Sequence, residues 1–148
     1  MNLKVDLRAA KIPYLGLIAV HYWFVIHEKS YSERWEIWQS KDLVMSSWGH
    51  LHQNLMTITQ GVGNGHSWRE TQWQGKEAEI LTKIIRESSS QYPYNYVYRY
   101  YPGPNSNTYA QWILDEGNIP YGLERRGLGK NYLKYAHFLV NLKNKVRF

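Results

Sequence analysis

Between Tyr101 and Leu114 the sequence YPGPNSNTYAQWIL runs from a rigid turn directly into a helix start. Pro102 and Pro104 fix φ and withhold backbone donors, so regular strand pairing stops there. Gly103 supplies the freedom the turn needs, and Asn105, Ser106 and Asn107 are residue types that cap helix N-termini. The spacing predicts a helix beginning near Ser106. Tyr109, Trp112 and Ile113 recur at i, i+3 and i+4 with Ala110 beside them, giving one buried face, and Gly117 is a natural stop. A hydroxyl at Ser106 then sits at the positive end of the helix dipole, where backbone N–H groups bind an anion or a developing oxyanion. The same residues serve equally as a plain helix cap, and what the fold brings to Ser106 decides between the two.

The 148 residues suit one domain, 1–148, able to bury about two-thirds of its unfolded surface. Apolar residues make up 43%, which excludes disorder, and 7 Trp and 13 Tyr offer large side chains for a core or a ligand surface. No cysteine is present, so disulfides, thiolate metal sites and a cysteine nucleophile are excluded. The longest apolar run, Tyr14 to Ile26, carries Gly16 and His21 and is too short to span a bilayer; it reads as a core strand. The opening residues lack the layout of a signal peptide, and the expected location is cytoplasmic. A net charge of +6 favours acidic partners. Apart from Arg125-Arg126 with Lys130, and Lys143, Lys145 and Arg147, the basic residues are dispersed, as on a solvated face. Basic charge beside aromatics suits single-stranded nucleic acid, but that partner is disfavoured. No cofactor is expected.

Residues 1–12 read as a short strand or arm that Ile12-Pro13 interrupts. Leu15 to His27 is rich in β-branched and aromatic residues, with His21 and Trp23 on one face and Tyr22, Phe24 and Ile26 on the other. After a polar turn, Glu33 to Gln39 returns as its hairpin partner. Leu43 to Thr59 favours a third strand by alternation through His50 and His52, and the glycines of 60–65 mark a loop without a dinucleotide signature. From Lys76 to Glu87 the positions Ala78, Leu81, Ile84 and Ile85 follow helical spacing, with Ser88-Ser89-Ser90 as the stop. Tyr94, Tyr96, Tyr98 and Tyr100 share a parity, so Tyr92 to Tyr101 reads as a strand. Residues 118–130 look irregular, and Tyr132 to Val140 is apolar enough to pack as a last strand or helix. His50-x-His52, with His66 a loop away, has a spacing that some zinc sites use, yet no further ligand is fixed by it, and no metal is expected.

The segments YPGPNSNT at 101–108, Tyr109, GKNY at 129–132, HYWF at 21–24 and WEI at 35–37 together resemble an uncharacterised bacterial domain family marked by a GPNSNT-type motif. The likeness runs from about residue 20 to 132. More distantly, the chain is similar to the circularly permuted papain-like NlpC superfamily. In that superfamily a histidine on an early strand precedes an Asn-Cys turn that starts a helix, and the cysteine is the nucleophile. Here His21 takes the strand position and Asn105-Ser106 the turn, with serine in place of cysteine. A serine hydroxyl must lose its proton to a base as it attacks, whereas a cysteine beside histidine is already largely thiolate.

The expected fold is α+β, a small antiparallel sheet packed against helices at 76–87 and 106–116, with papain-like topology implied by the resemblance. The expected site joins Ser106 as nucleophile, His21 as general base and acid, and Glu36, across the hairpin, as the acceptor orienting the imidazole. His50 and His52 are alternatives for that third role. Asn105, Asn107, Trp23 and Tyr101 are the candidate ligand-binding residues. The function expected is hydrolysis or acyl transfer on an amide or ester of a small molecule, peptide or lipid-like substrate. The competing expectation is a binding domain for a small molecule, peptide or cell-wall fragment that keeps the cleft without the chemistry.

Overall fold

The computed structural model describes residues 3–145. Its centre is a six-stranded antiparallel sheet in the order β4-β5-β3-β2-β1-β6. The strands are β1 (Lys4–Lys11), β2 (Val20–His27), β3 (Ser32–Ile37), β4 (Ser47–Trp48), β5 (Leu51–Gln53) and β6 (Ser67–Gln74). Three helices follow: α1 (Gly75–Gln91), α2 (Ser106–Glu116) and α3 (Tyr132–Lys145). The class is the α+β expected.

Strand alternation sends Leu7, Phe24 and Ile37 to the face that packs on Leu81 and Ile85 of α1 and Tyr109 and Ile113 of α2. This is the main core, and truncating one of its large side chains, such as Phe24, to alanine costs about 3–5 kcal/mol. On the opposite face Ala10, Trp23 and Val25 lie under Ile58 and Val62 of the loop between β5 and β6. Trp23 and Phe24 are both completely buried, so β2 has no solvent face.

Several local expectations change. The strand expected from Leu15 begins only at Val20. Lys11 pairs with Val20, so residues 12–19 must reverse the chain. They do so through local bonds such as Leu15 N–H to Ile12 O and Ala19 N–H to Leu15 O, which leave Tyr14, Leu17 and Ile18 exposed. Of the third strand expected over 43–59, the short β4 and β5 form, joined at Gly49 with φ +63. Helix α1 runs through the serines instead of stopping at them, because Ser88, Ser89 and Ser90 each turn their hydroxyl back to the carbonyl three residues earlier.

The tyrosine-rich segment 92–101 is not a strand. Asn95 Nδ2 donates to Ser88 O and Ser89 O and so closes the end of α1, while Asn95 O accepts from His50 N–H. The backbone groups a strand would need are thus engaged elsewhere. The C-terminal segment is helical but contributes no buried residue; α3 stands off the domain. Strand β6, which borders β1, had no counterpart in the sequence reading.

Candidate active site

Three elements meet at one end of the sheet: the start of β2, the end of β3 and the N-terminus of α2. Because β2 and β3 are antiparallel, with Phe24 opposite Trp35, His21 and Glu36 fall on the same face. His21 Nε2 lies 2.8 Å from Glu36 Oε2. His21 Nδ1 has no hydrogen-bonding side chain or backbone partner among the described residues, and the ring lines a cleft of about 250 Å³. Trp23 stacks on the imidazole at 5.5 Å between centroids, and Trp38 meets it edge-on at 5.4 Å. These contacts fix the ring plane.

Glu36 is completely buried and would be costly as a lone charge. Arg34, also completely buried, compensates it: Nη2 donates to Oε2 at 2.8 Å, and Nε lies 2.7 Å from Oε1 in an ion-pair contact. The guanidinium also donates to Thr57 O and Gln60 O and sits 4.1 Å above the Trp23 ring. Burial pushes the Glu36 carboxyl up, but the bond and charge of His21 together with Arg34 outweigh it and hold it below the ordinary carboxylate range. The carboxylate is therefore ionised at neutral pH, suited to receive an N–H from Nε2. Sequence reasoning missed Arg34, although its parity with Glu36, two residues apart on one strand face, was the available signal.

Ser106 is the first residue of α2 and lines the same cleft as His21, together with Ile12, Trp38, Tyr98 and Tyr100. Its hydroxyl makes one long bond, 3.5 Å to Asn107 Oδ1, and none to His21. Asn105, not Ser106, is the cap. Asn105 Oδ1 accepts from the Asn107 and Thr108 amides, and Thr108 Oγ1 accepts from the Asn105 amide, closing a capping box. That leaves the Ser106 N–H as the first-turn amide the cap does not use.

The four candidate ligand residues stand apart from the cleft lining. Asn105 Nδ2 donates to Tyr100 O and Leu128 O, and Asn107 ties α2 to β2 by accepting from Tyr22 N–H and donating to Val20 O. Both are structural braces of the helix start. Trp23 is buried beneath His21 and Arg34. Tyr101 is exposed and lines a separate groove with Arg125 and Lys130.

The alternative third residues are held elsewhere. His52 bonds Ser47 Oγ and Ser40 O, and burial holds its pKa below the usual histidine value. His50 Nδ1 bonds Trp38 O. Among the described residues no group of three or more His, Cys, Asp or Glu side chains is arranged to hold a metal ion, and no helix is long and apolar enough to cross a membrane.

A family model described as "Protein of unknown function (DUF3750)" matches residues 2–132, and the chain belongs to that family. No match was found among curated proteins or among solved structures.

Proposed function

We propose that this DUF3750 protein is a hydrolase or acyltransferase that acts on an ester or amide through Ser106 and His21. One observation carries the reading: a histidine oriented on Nε2 by a buried carboxylate, its Nδ1 without a partner among the described residues, shares a cleft with a serine at a helix N-terminus. The more distant likeness to the permuted papain-like superfamily supports the same assignment, with serine standing where that superfamily has cysteine.

In the proposed reaction Ser106 Oγ attacks the substrate carbonyl carbon while His21 Nδ1 takes the hydroxyl proton. Glu36 accepts from Nε2 and stabilises the imidazolium without itself taking the proton. The Ser106 N–H at the positive end of α2 is placed to donate to the oxyanion. On collapse, His21 returns the proton to the leaving alcohol or amine, and an acyl-serine remains. Water or an acceptor alcohol then gives a proton to Nδ1 and attacks the acyl carbon. Ser106 leaves with that proton, regenerating the hydroxyl.

A second reading, a non-catalytic binding cleft, draws on the absence of a Ser106–His21 hydrogen bond and on the capture of two first-turn amides by Asn105. Assays of the pure protein on activated acyl esters and peptidoglycan-like amides, beside Ser106→Ala and His21→Ala, separate the two. Turnover lost in both variants supports the pair. Equal turnover in all three proteins refutes catalysis by it, and ligand binding by all three with no turnover in any, the wild type included, favours the binding cleft.

A further inference from the structure

The end of the sheet at which the cleft opens also carries apolar side chains that the domain leaves uncovered. In the turn between β1 and β2, Leu17 is 89% exposed and Ile18 59%, with Tyr14 wholly exposed beside them. Arg126 of the segment leading to α3 donates to Gly16 O in that turn, so the two stretches adjoin. From there a shallow groove of about 150 Å³, lined by Tyr101, Arg125, Lys130 and Tyr135, leads to the root of α3. Along α3 itself Tyr135, Phe138, Leu139 and Val140 are each more than half exposed. At 100° per residue Phe138, Leu142, Tyr135 and Leu139 fall on one arc, flanked by Lys134 and Lys145 on one edge and by Lys143 on the other. A connected exposed surface of this kind marks a binding face.

Charge identifies the occupant. Residues 125–145 contain six Lys or Arg and no Asp or Glu, and of the six Arg126 is paired with Glu124 just before them. Arg125 has no carboxylate partner among the described residues. A second copy would bring the same positive charge to the contact, whereas a surface of lipid phosphates opposes it with the required sign. At 14 residues α3 is about 21 Å long, too short to cross a bilayer and of the basic amphipathic kind that lies within its interface.

We propose that this face docks the protein on an anionic lipid bilayer. Leu17, Ile18 and Phe138 enter the boundary between headgroups and acyl chains, and Arg125 and Lys134 meet phosphates. The cleft, whose wall includes Ile12 and Pro13 just before the docking turn, then opens beside the bilayer. The proposal does not depend on catalysis by Ser106.

Co-sedimentation with phosphatidylglycerol vesicles and with phosphatidylcholine vesicles tests it. Expected are binding to the first, binding at least about tenfold weaker to the second, and release from the first in high salt. The doubles L17E/I18E and F138E/L139E, at exposed positions and checked for folding by circular dichroism, should each weaken binding by about tenfold or more. Removing Arg125 or Lys134 should cost roughly fivefold each. Ser106→Ala should bind as wild type, so a failed catalytic reading leaves this result intact. Equal binding to both vesicle types, no binding to either, or a solution dimer that F138E/L139E dissociates would overturn the proposal.

Discussion

Asn105 is the residue whose replacement separates structure from chemistry at the α2 terminus most sharply. Its carboxamide oxygen satisfies two backbone amides, and its nitrogen satisfies Tyr100 O and Leu128 O. Loss of a side-chain cap costs about 0.5–2 kcal/mol. The Tyr100 carbonyl loses a nearly buried donor for about 1 kcal/mol more, while Leu128 O keeps the Asn107 carboxamide. Asn105→Ala is therefore expected to cost about 1.5–3 kcal/mol. For a domain of this size each kcal/mol moves Tm by about 2–4 °C, giving a drop of about 3–12 °C.

Ser106→Ala removes a single bond at 3.5 Å and is expected to cost less than about 0.5 kcal/mol. Asn105→Asp keeps the acceptor and adds a favourable charge at the dipole, but turns a carboxylate on two carbonyls; it should fall between wild type and alanine. Calorimetry and urea unfolding of the three variants provide the check. A loss for Ser106→Ala as large as that for Asn105→Ala would show that the serine, not the asparagine, holds the helix start, and the assignment of the cap would fall.

Glu36→Gln leaves Arg34 buried without its counter-charge and should lower stability by about 3–5 kcal/mol by urea unfolding; a loss below about 1 kcal/mol would mean the pair contributes little. For pH, the unfolded chain takes up a proton on His52 below its reference value of 6.5 before the folded one does, so stability should decline as pH falls from there. Glu36 adds a further decline that is absent above its reference value of 4.5 and completes as pH falls through its lower folded value. Urea midpoints from about pH 8 to about pH 2.5, with His52→Gln as the control for the first step, read this directly; a midpoint that rises on acidification contradicts it. Gly129 has φ +97, and an added Cβ there would collide with the Asn105 carboxamide. Gly129→Ala should thus cost more than about 1 kcal/mol in the same assay, and a neutral result would mean the 127–130 turn yields easily.

Helix α2 was legible because its signals are local: cap, periodicity and stop all lie within a few residues of one another. The His21–Glu36 contact was legible one step later, since a tight turn fixes the parity of both hairpin strands. Where the reading failed, long-range partners decided the outcome. Residues 14–18 are apolar enough for a strand, yet β1 and β2 already pair at Lys11 and Val20, so the span between them has to turn. Tyr94 to Tyr100 alternate correctly, but Asn95 is committed to the α1 terminus. Strand β6, SWRETQWQ, lies at the sheet edge with mostly polar, half-exposed side chains, so its pairing with β1 leaves little hydrophobic alternation to read. Arg34 looked like any charged strand residue, because its partners Thr57 and Gln60 come from a loop that no periodicity locates.

The carbonyls of Leu128 and Gly129 receive the side chains of Asn105, Asn107 and Thr108, and Val20 donates its amide to Arg126 O. In the order in which a ribosome makes the chain, these acceptors arrive late. A nascent chain that has emerged only to residue 124 has its sheet strands, the whole of α2 and the Asn107 bonds to β2, but not the 126–129 carbonyls that complete the bracing of the α2 start. The last braces of the α2 start are thus late products of synthesis, and contacts of the same segment such as Arg126 to Gly16 span 110 positions. Such distant pairing belongs to slowly folding topologies, and stopped-flow refolding of the full chain should show tertiary packing, followed by tryptophan fluorescence, trailing helix formation followed by circular dichroism.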